Sequence, residues 1–131
     1  MSQPASQKPG KIPGPDHPIA ITRHPMRLVV MVAGRMIADT RAALILSEAD
    51  YAAVFYIPRR DVDMTLLART NHSTYCPYKG ECAYFSIPLG GADAENAAWS
   101  YESPYQSVLA IKDHLAFYRD RVDAIEERPL D

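Results

Sequence analysis

Proline, glycine and charged residues cut this chain into short apolar pieces, and that punctuation restricts its fold more than any other feature. Leu28–Val32 is a run of branched and apolar residues that stops at Ala33-Gly34-Arg35, where glycine permits the positive φ of a tight turn into Met36–Ala38. Ile19–Arg23, Ala42–Leu46 and Val54–Ile57 are strand-like too, the last closed by Pro58. None of these runs approaches the roughly 18 apolar residues of a membrane span.

The remaining segments are more varied. Val62, Met64, Leu66 and Leu67 recur at helical spacing, so Arg59–Ala68 reads as a short helix or helical turn. Ser73–Cys76 and Ala83–Ile87 read as a hairpin, Leu89-Gly90-Gly91 as a loop, and Ala97–Tyr101 as a strand carrying the sole tryptophan, Trp99. Pro104 suits the start of a second helix, with Val108, Leu109 and Ile111 as its apolar face. Leu115–Tyr118 and Val122–Ile125 flank Arg119-Asp120-Arg121 and read as a final hairpin, against a competing helix through Ile125. The expected fold is mainly β (α+β): a compact, strongly curved sheet or small barrel of about eight short strands with two short helices.

Residues 1–17 are polar and rich in proline and glycine, and read as a disordered or mobile tail, or an arm lying across a partner chain. Residues 18–128 then form a single β-rich domain, large enough to bury one core. The net charge of -2 comes from 14 basic and 16 acidic residues, well mixed, so no basic stripe marks the chain for nucleic acid. No membrane partner is expected either. The N-terminus lacks the apolar core of a secretory signal, and the two cysteines are expected as reduced thiols in a cytoplasmic protein. Homodimerisation is compatible with any reading of one chain.

Chemistry concentrates in Thr70–Ser86, which packs a histidine, two thiols, a lysine, hydroxyls and three tyrosines around Pro77-Tyr78-Lys79-Gly80. With His72, Cys76 and Cys82 as the soft ligands of this segment, and not in Cys-x-x-Cys pairs, no structural zinc is expected, and the sequence leaves any other cofactor unknown. Register decides which side chains meet. A three-residue turn is expected to set Cys76 directly facing Cys82, to put His72, Thr74 and Cys76 on one face with Cys82, Tyr84 and Ser86, and to send Ala83, Phe85 and Ile87 to the core. With Tyr78-Lys79 alone as the turn, Cys76 points away from Cys82.

In that segment Cys76 is the candidate nucleophile, with His72 or Lys79 to lower its pKa. The same residues also suit plain packing and turn roles. Candidate ligand contacts are Arg41, Arg59 and Lys79 as cations, Tyr56, Tyr84 and Trp99 as aromatic faces, and His72, Cys76 and Ser86 from the hairpin. Guanidinium groups beside aromatic faces suit a planar, anionic ligand.

Several stretches together carry a resemblance: Val54-Phe55-Tyr56-Ile57-Pro58-Arg59-Arg60-Asp61-Val62, Thr70-Asn71-His72-Ser73-Thr74-Tyr75-Cys76-Pro77-Tyr78-Lys79-Gly80, Ala98-Trp99-Ser100-Tyr101, and Ala116-Phe117-Tyr118 with Arg121-Val122. The chain resembles, over about Ile19 to Glu126, a small, mostly bacterial family described as a domain of unknown function and labelled a presumed nucleotidyltransferase domain. The resemblance implies a compact β-rich fold and carries no catalytic residues with it. Nucleotidyl transfer needs carboxylates that hold a divalent metal and groups that hold phosphates. Asp61 and Asp63 are the carboxylates at hand: they share a face on a strand and diverge on a helical turn. Gly90-Gly91 lacks the spacing and following lysine of a phosphate loop.

Three functions follow from the sequence. The leading one is a domain that binds a small anionic or aromatic ligand in one pocket. The alternatives are an enzyme, by nucleotidyl transfer or Cys76 thiol chemistry, and a protein-interaction module without a small ligand.

Overall fold

In the computed structural model, which describes residues 10–130, the short apolar runs form ten strands in two antiparallel sheets. They are β1 (Ile19–Arg23), β2 (Arg27–Val32), β3 (Arg35–Thr40), β4 (Leu44–Glu48), β5 (Val54–Pro58), β6 (Ala68–Cys76), β7 (Gly80–Ser86), β8 (Ala98–Ser100), β9 (His114–Phe117) and β10 (Ala124–Arg128). The large sheet has the order β1-β4-β5-β9-β8-β7-β6 and the small one β10-β2-β3. The β-rich expectation holds. A single curved sheet or barrel does not form, because β1 and β6 end the large sheet without meeting and β2, β3 and β10 form a layer of their own.

Alternation along the strands creates two cores. Leu28, Val30, Val32, Ile57, Phe85, Leu115 and Phe117 lie between the sheets, and each buried Leu or Ile there contributes about 1.5–3 kcal/mol. The opposite face of the large sheet carries a different population: Leu46, Tyr56, Cys82, Tyr84, Tyr101 and Ala116, covered by Val108 and Ile111. β7 shows the parity directly, with Ala83 and Phe85 toward the first core and Cys82 and Tyr84 toward the second.

Both predicted helical pieces form, as 3-10 turns and not as continuous α-helices. Across Arg59–Ala68 the segments are Arg59–Asp61 and Met64–Leu66, separated by extended Val62. Val62 bridges to Ala38, Asp63 donates its N–H to the Ile37 carbonyl at 2.9 Å, and the Asp63 carboxylate accepts from Thr65 N at 3.1 Å. Those bonds draw the backbone toward β3 and deny it a continuous helical ladder. Gln106–Ile111 is likewise 3-10, kinked at Val108.

The last expected hairpin is also corrected. β9 joins β5 and β8 in the large sheet, whereas β10 pairs with β2 in the small one. Arg119–Arg121 is therefore a crossover between layers, fixed by Tyr118 N donating to Ala97 O and Asp123 N donating to Met31 O, each at 2.9 Å. The β2–β3 turn does form as read: Ala33 and Gly34 have φ of 51° and 74°. Asp123 Oδ2 accepts from Ala33 N at 2.7 Å, which holds a non-glycine residue in that costly conformation.

Of the expected tail over residues 1–17, residues 1–9 lie outside those described. Residues 10–17 cross the β6–β7 turn. Lys11 N donates to Pro77 O at 2.8 Å, and the His17 ring stacks on Tyr78 with centroids 3.9 Å apart.

Candidate functional site

The β6–β7 hairpin adopts the three-residue turn, with Cys76 opposite Gly80 and Thr74 opposite Cys82. His72, Thr74, Cys76, Cys82 and Tyr84 therefore share a face, although Cys76 and Cys82 are diagonal neighbours and not direct partners. Both thiols are free. Gly80 has φ of 110°, and a Cβ there meets Ser103 O at 3.5 Å, because the segment after β8 passes close over the turn. Tyr105 N donates to Lys79 O at 3.1 Å and so fixes that segment in place.

On that shared face Cys82 and Tyr84 are buried, Cys76 is half-buried, and His72 and Thr74 are exposed. Tyr84 and Thr74 share a hydrogen bond of 3.0 Å, Trp99 Nε1 donates to Tyr56 OH at 3.3 Å, and the His72 ring tilts onto Tyr84 at 4.5 Å. Burial raises the pKa of Tyr56, Tyr84 and Tyr101 above the ordinary phenol value, so all three stay neutral. Burial also pushes the Cys82 thiol up to about 11, against hydrogen bonds from Thr74, Tyr101 and Tyr84. It is an inert thiol at neutral pH.

The thiol-nucleophile arrangement is not assembled. His72 and Cys76 lie four residues apart along one strand, roughly 13 Å at the usual rise, and the imidazole packs on Tyr84. Lys79 is buried, and its ammonium pairs with Glu48 Oε1, while Glu48 Oε2 accepts from His17 Nε2 at 2.8 Å. Burial raises the Glu48 pKa, but the hydrogen bonds from Lys79 and His17 outweigh it and hold the carboxylate below its usual range.

The other sequence candidates separate. Arg41 lies away from the hairpin, its Nε donating to Leu130 O at 3.2 Å. Ser86 Oγ accepts from Asn96 N at 2.9 Å. Asp61 and Asp63 diverge: Asp61 Oδ2 accepts from Thr40 Oγ1 at 2.7 Å, while Asp63 turns to Thr65. Among the described residues no group of three His, Cys, Asp or Glu side chains is placed to hold a metal ion.

An open cleft of about 480 Å³ does lie along the hairpin, lined by Arg69–Ser73, Gly80–Ala83 and Glu102, Ser103 and Tyr105. At one end Glu102 Oε2 accepts from Arg59 Nη2 at 2.9 Å and from Arg69 Nη2 at 2.5 Å. Both guanidinium carbons sit over the Phe85 ring, at 5.6 and 5.0 Å from its centroid. The Arg69 hydrogen bond, joined by Arg59 and opposed by desolvation, lowers the Glu102 pKa, so this carboxylate is ionised at neutral pH. Of this cluster the sequence singled out only Arg59. Glu102 follows a strand end in Trp99-Ser100-Tyr101-Glu102, and a charge leaving a buried strand was the signal available.

Fold and cleft define a small antiparallel β protein of two layers, with its polar hollow beside one hairpin. A family model described as Domain of unknown function (DUF427), and labelled NTP_transf_9, matches residues 20–128, and the chain belongs to that family. None of the curated proteins matches the chain. Among the described residues no helix is long and apolar enough to cross a membrane.

Proposed function

We propose that this domain binds a small polar acid in the cleft beside the β6–β7 hairpin, with Arg69 receiving the anionic group. The observation that carries the reading is the convergence of Arg59 and Arg69 on the single carboxylate of Glu102. One carboxylate neutralises one guanidinium, and the second positive charge is surplus. Arg59 is the more enclosed of the two, reaches Ser100 as well, and keeps Glu102 paired by itself. Arg69 lies on the edge strand with its side chain 52% exposed, free to turn toward a ligand oxyanion in the bidentate geometry a guanidinium offers.

Glu81, Ser73, Thr70 and Asn71 line the same hollow and supply partners for hydroxyl or amino groups on the ligand. The expected class is therefore a small hydroxy or amino acid, of a size that suits a cleft of these dimensions. The phenols of Tyr56 and Tyr84 are buried in the second core and do not line this cleft.

A thermal-shift panel of small hydroxy and amino acids tests the reading, since a ligand that prefers the native state raises the melting temperature. Stabilisation by a member of the panel that disappears in Arg69→Gln is the expected result. Equal shifts in both proteins reject Arg69 as the anion contact, and no shift from any acid rejects the class.

A further inference from the structure

A second hollow of about 190 Å³ is lined chiefly by Phe55, Trp99, Phe117, Tyr118, Arg119 and Ile125. Its chemistry differs. Trp99 and Tyr118 meet at 4.5 Å with their planes inclined by 45°, and the indole N–H is committed inward to Tyr56 OH. Apolar ring surface is therefore what these residues offer the groove. The size suits one ring: an apolar cavity of about 150 Å³ accommodates benzene.

One cation stands at the rim. Arg119 holds its guanidinium carbon 5.2 Å from the Phe55 centroid, and among the described residues no carboxylate pairs with it. Neighbouring Arg121 is different, because it stacks on Tyr118 and donates to the Glu95 and Asn96 carbonyls. Arg119 thus has stacking to hold its plane and its hydrogen-bond donors unspent. A carboxylate attached directly to an aromatic ring matches this pairing of an apolar slot with a guanidinium at its lip.

We infer that this groove is a binding site for monocyclic aromatic carboxylates, with the ring against Trp99 and Tyr118 and the carboxylate on Arg119. It is independent of the hairpin cleft: no residue lines both hollows.

Trp99 is the sole tryptophan, so its emission reports occupancy directly. The full chain is titrated with benzoate and, separately, with benzyl alcohol, which keeps the ring and removes the charge. Expected is a saturable change in emission with benzoate, at an affinity about 5- to 10-fold above that of benzyl alcohol, and Arg119→Gln abolishing that advantage while leaving benzyl alcohol binding and the melting temperature unchanged. An emission insensitive to benzoate up to its solubility overturns the inference, as does benzoate affinity unaltered in Arg119→Gln. Benzoate binding lost in Arg69→Gln but retained in Arg119→Gln also overturns it, by moving the acid to the hairpin cleft.

Discussion

Glu48 and Glu102 each accept hydrogen bonds from two basic side chains, Glu48 from Lys79 and His17 and Glu102 from Arg59 and Arg69, yet they do different things. The Glu48 side chain is 13% exposed and its Lys79 partner 10%, whereas Glu102 is 31% exposed and Arg69 52%. In the first group the Lys79 ammonium and the Glu48 carboxylate face each other inside the protein, and the arrangement clips residues 10–17 onto the β6–β7 turn through His17. In the second, one guanidinium is superfluous and stands at the mouth of a cleft. Two carboxylates with comparable partner sets are thus separated by burial: the enclosed one ties the N-terminal segment to the turn, and the open one leaves Arg69 exposed beside the cleft.

Breaking the enclosed group produces the largest effect. Lys79→Met leaves Glu48 enclosed with only His17, and removing one partner of a buried pair costs about 3–5 kcal/mol. Thermal denaturation of the variant is expected to show a midpoint lowered by roughly 10–20 °C. A fall of only a degree or two makes Glu48 as solvated as Glu102 and removes the contrast.

Acid titrates the same pair without mutation. Glu48 has a folded pKa below its unfolded value of 4.5, so its stabilisation is complete above that pH and is lost as pH falls through the depressed folded value. Glu102 has the same sign and adds to the loss in the same window. Denaturant unfolding at a series of pH values is expected to show wild-type stability falling below about pH 4.5, and a shallower fall in Lys79→Met, where the pairing is already weakened. Parallel curves for the two proteins refute the assignment to Glu48.

A neutral hydrogen bond on the same face sets the scale for these ionic effects. Tyr56→Phe removes the acceptor of Trp99 Nε1 inside the second core, at a cost of about 1 kcal/mol in the denaturant midpoint. A cost comparable to Lys79→Met makes general packing, and not charge burial, the source of both.

Much of this was readable from the chain, and the unread part has a common physical origin. Strand ends fell at Pro58, at Ala33-Gly34 and at the hairpin turn because those residues impose backbone geometry locally. The shared face of His72, Thr74, Cys76, Cys82 and Tyr84 was one of two registers the sequence left open, and the structure takes it with Cys76 opposite Gly80 and not Cys82. The division into two sheets was hidden because Arg119-Asp120-Arg121 has the composition of a hairpin turn, and only the pairing of β10 with β2 makes it a crossover. Arg59–Ala68 carries helical spacing, yet bonds to Ile37 and Ala38 hold Val62 extended and split the segment into two 3-10 turns. Glu48 and Glu102 were missed for the same reason: Lys79 is 31 residues from Glu48, and Arg69 and Arg59 are 33 and 43 from Glu102. No local pattern announces such partners.

The smallest effect on stability is the one that separates the two groups most sharply. Arg69→Gln removes a half-exposed partner from a carboxylate that Arg59 continues to hold, and pairs of that exposure contribute about 0–1 kcal/mol. The variant is expected to melt within a few degrees of wild type. Salt refines the test, because screening acts on exposed charges and far less on enclosed ones. Raising ionic strength is expected to shrink the already small difference between wild type and Arg69→Gln, while leaving the large deficit of Lys79→Met nearly unchanged. If the two deficits respond to salt alike, burial does not distinguish the two carboxylates, and Arg69 loses the surplus charge on which its role in the cleft depends.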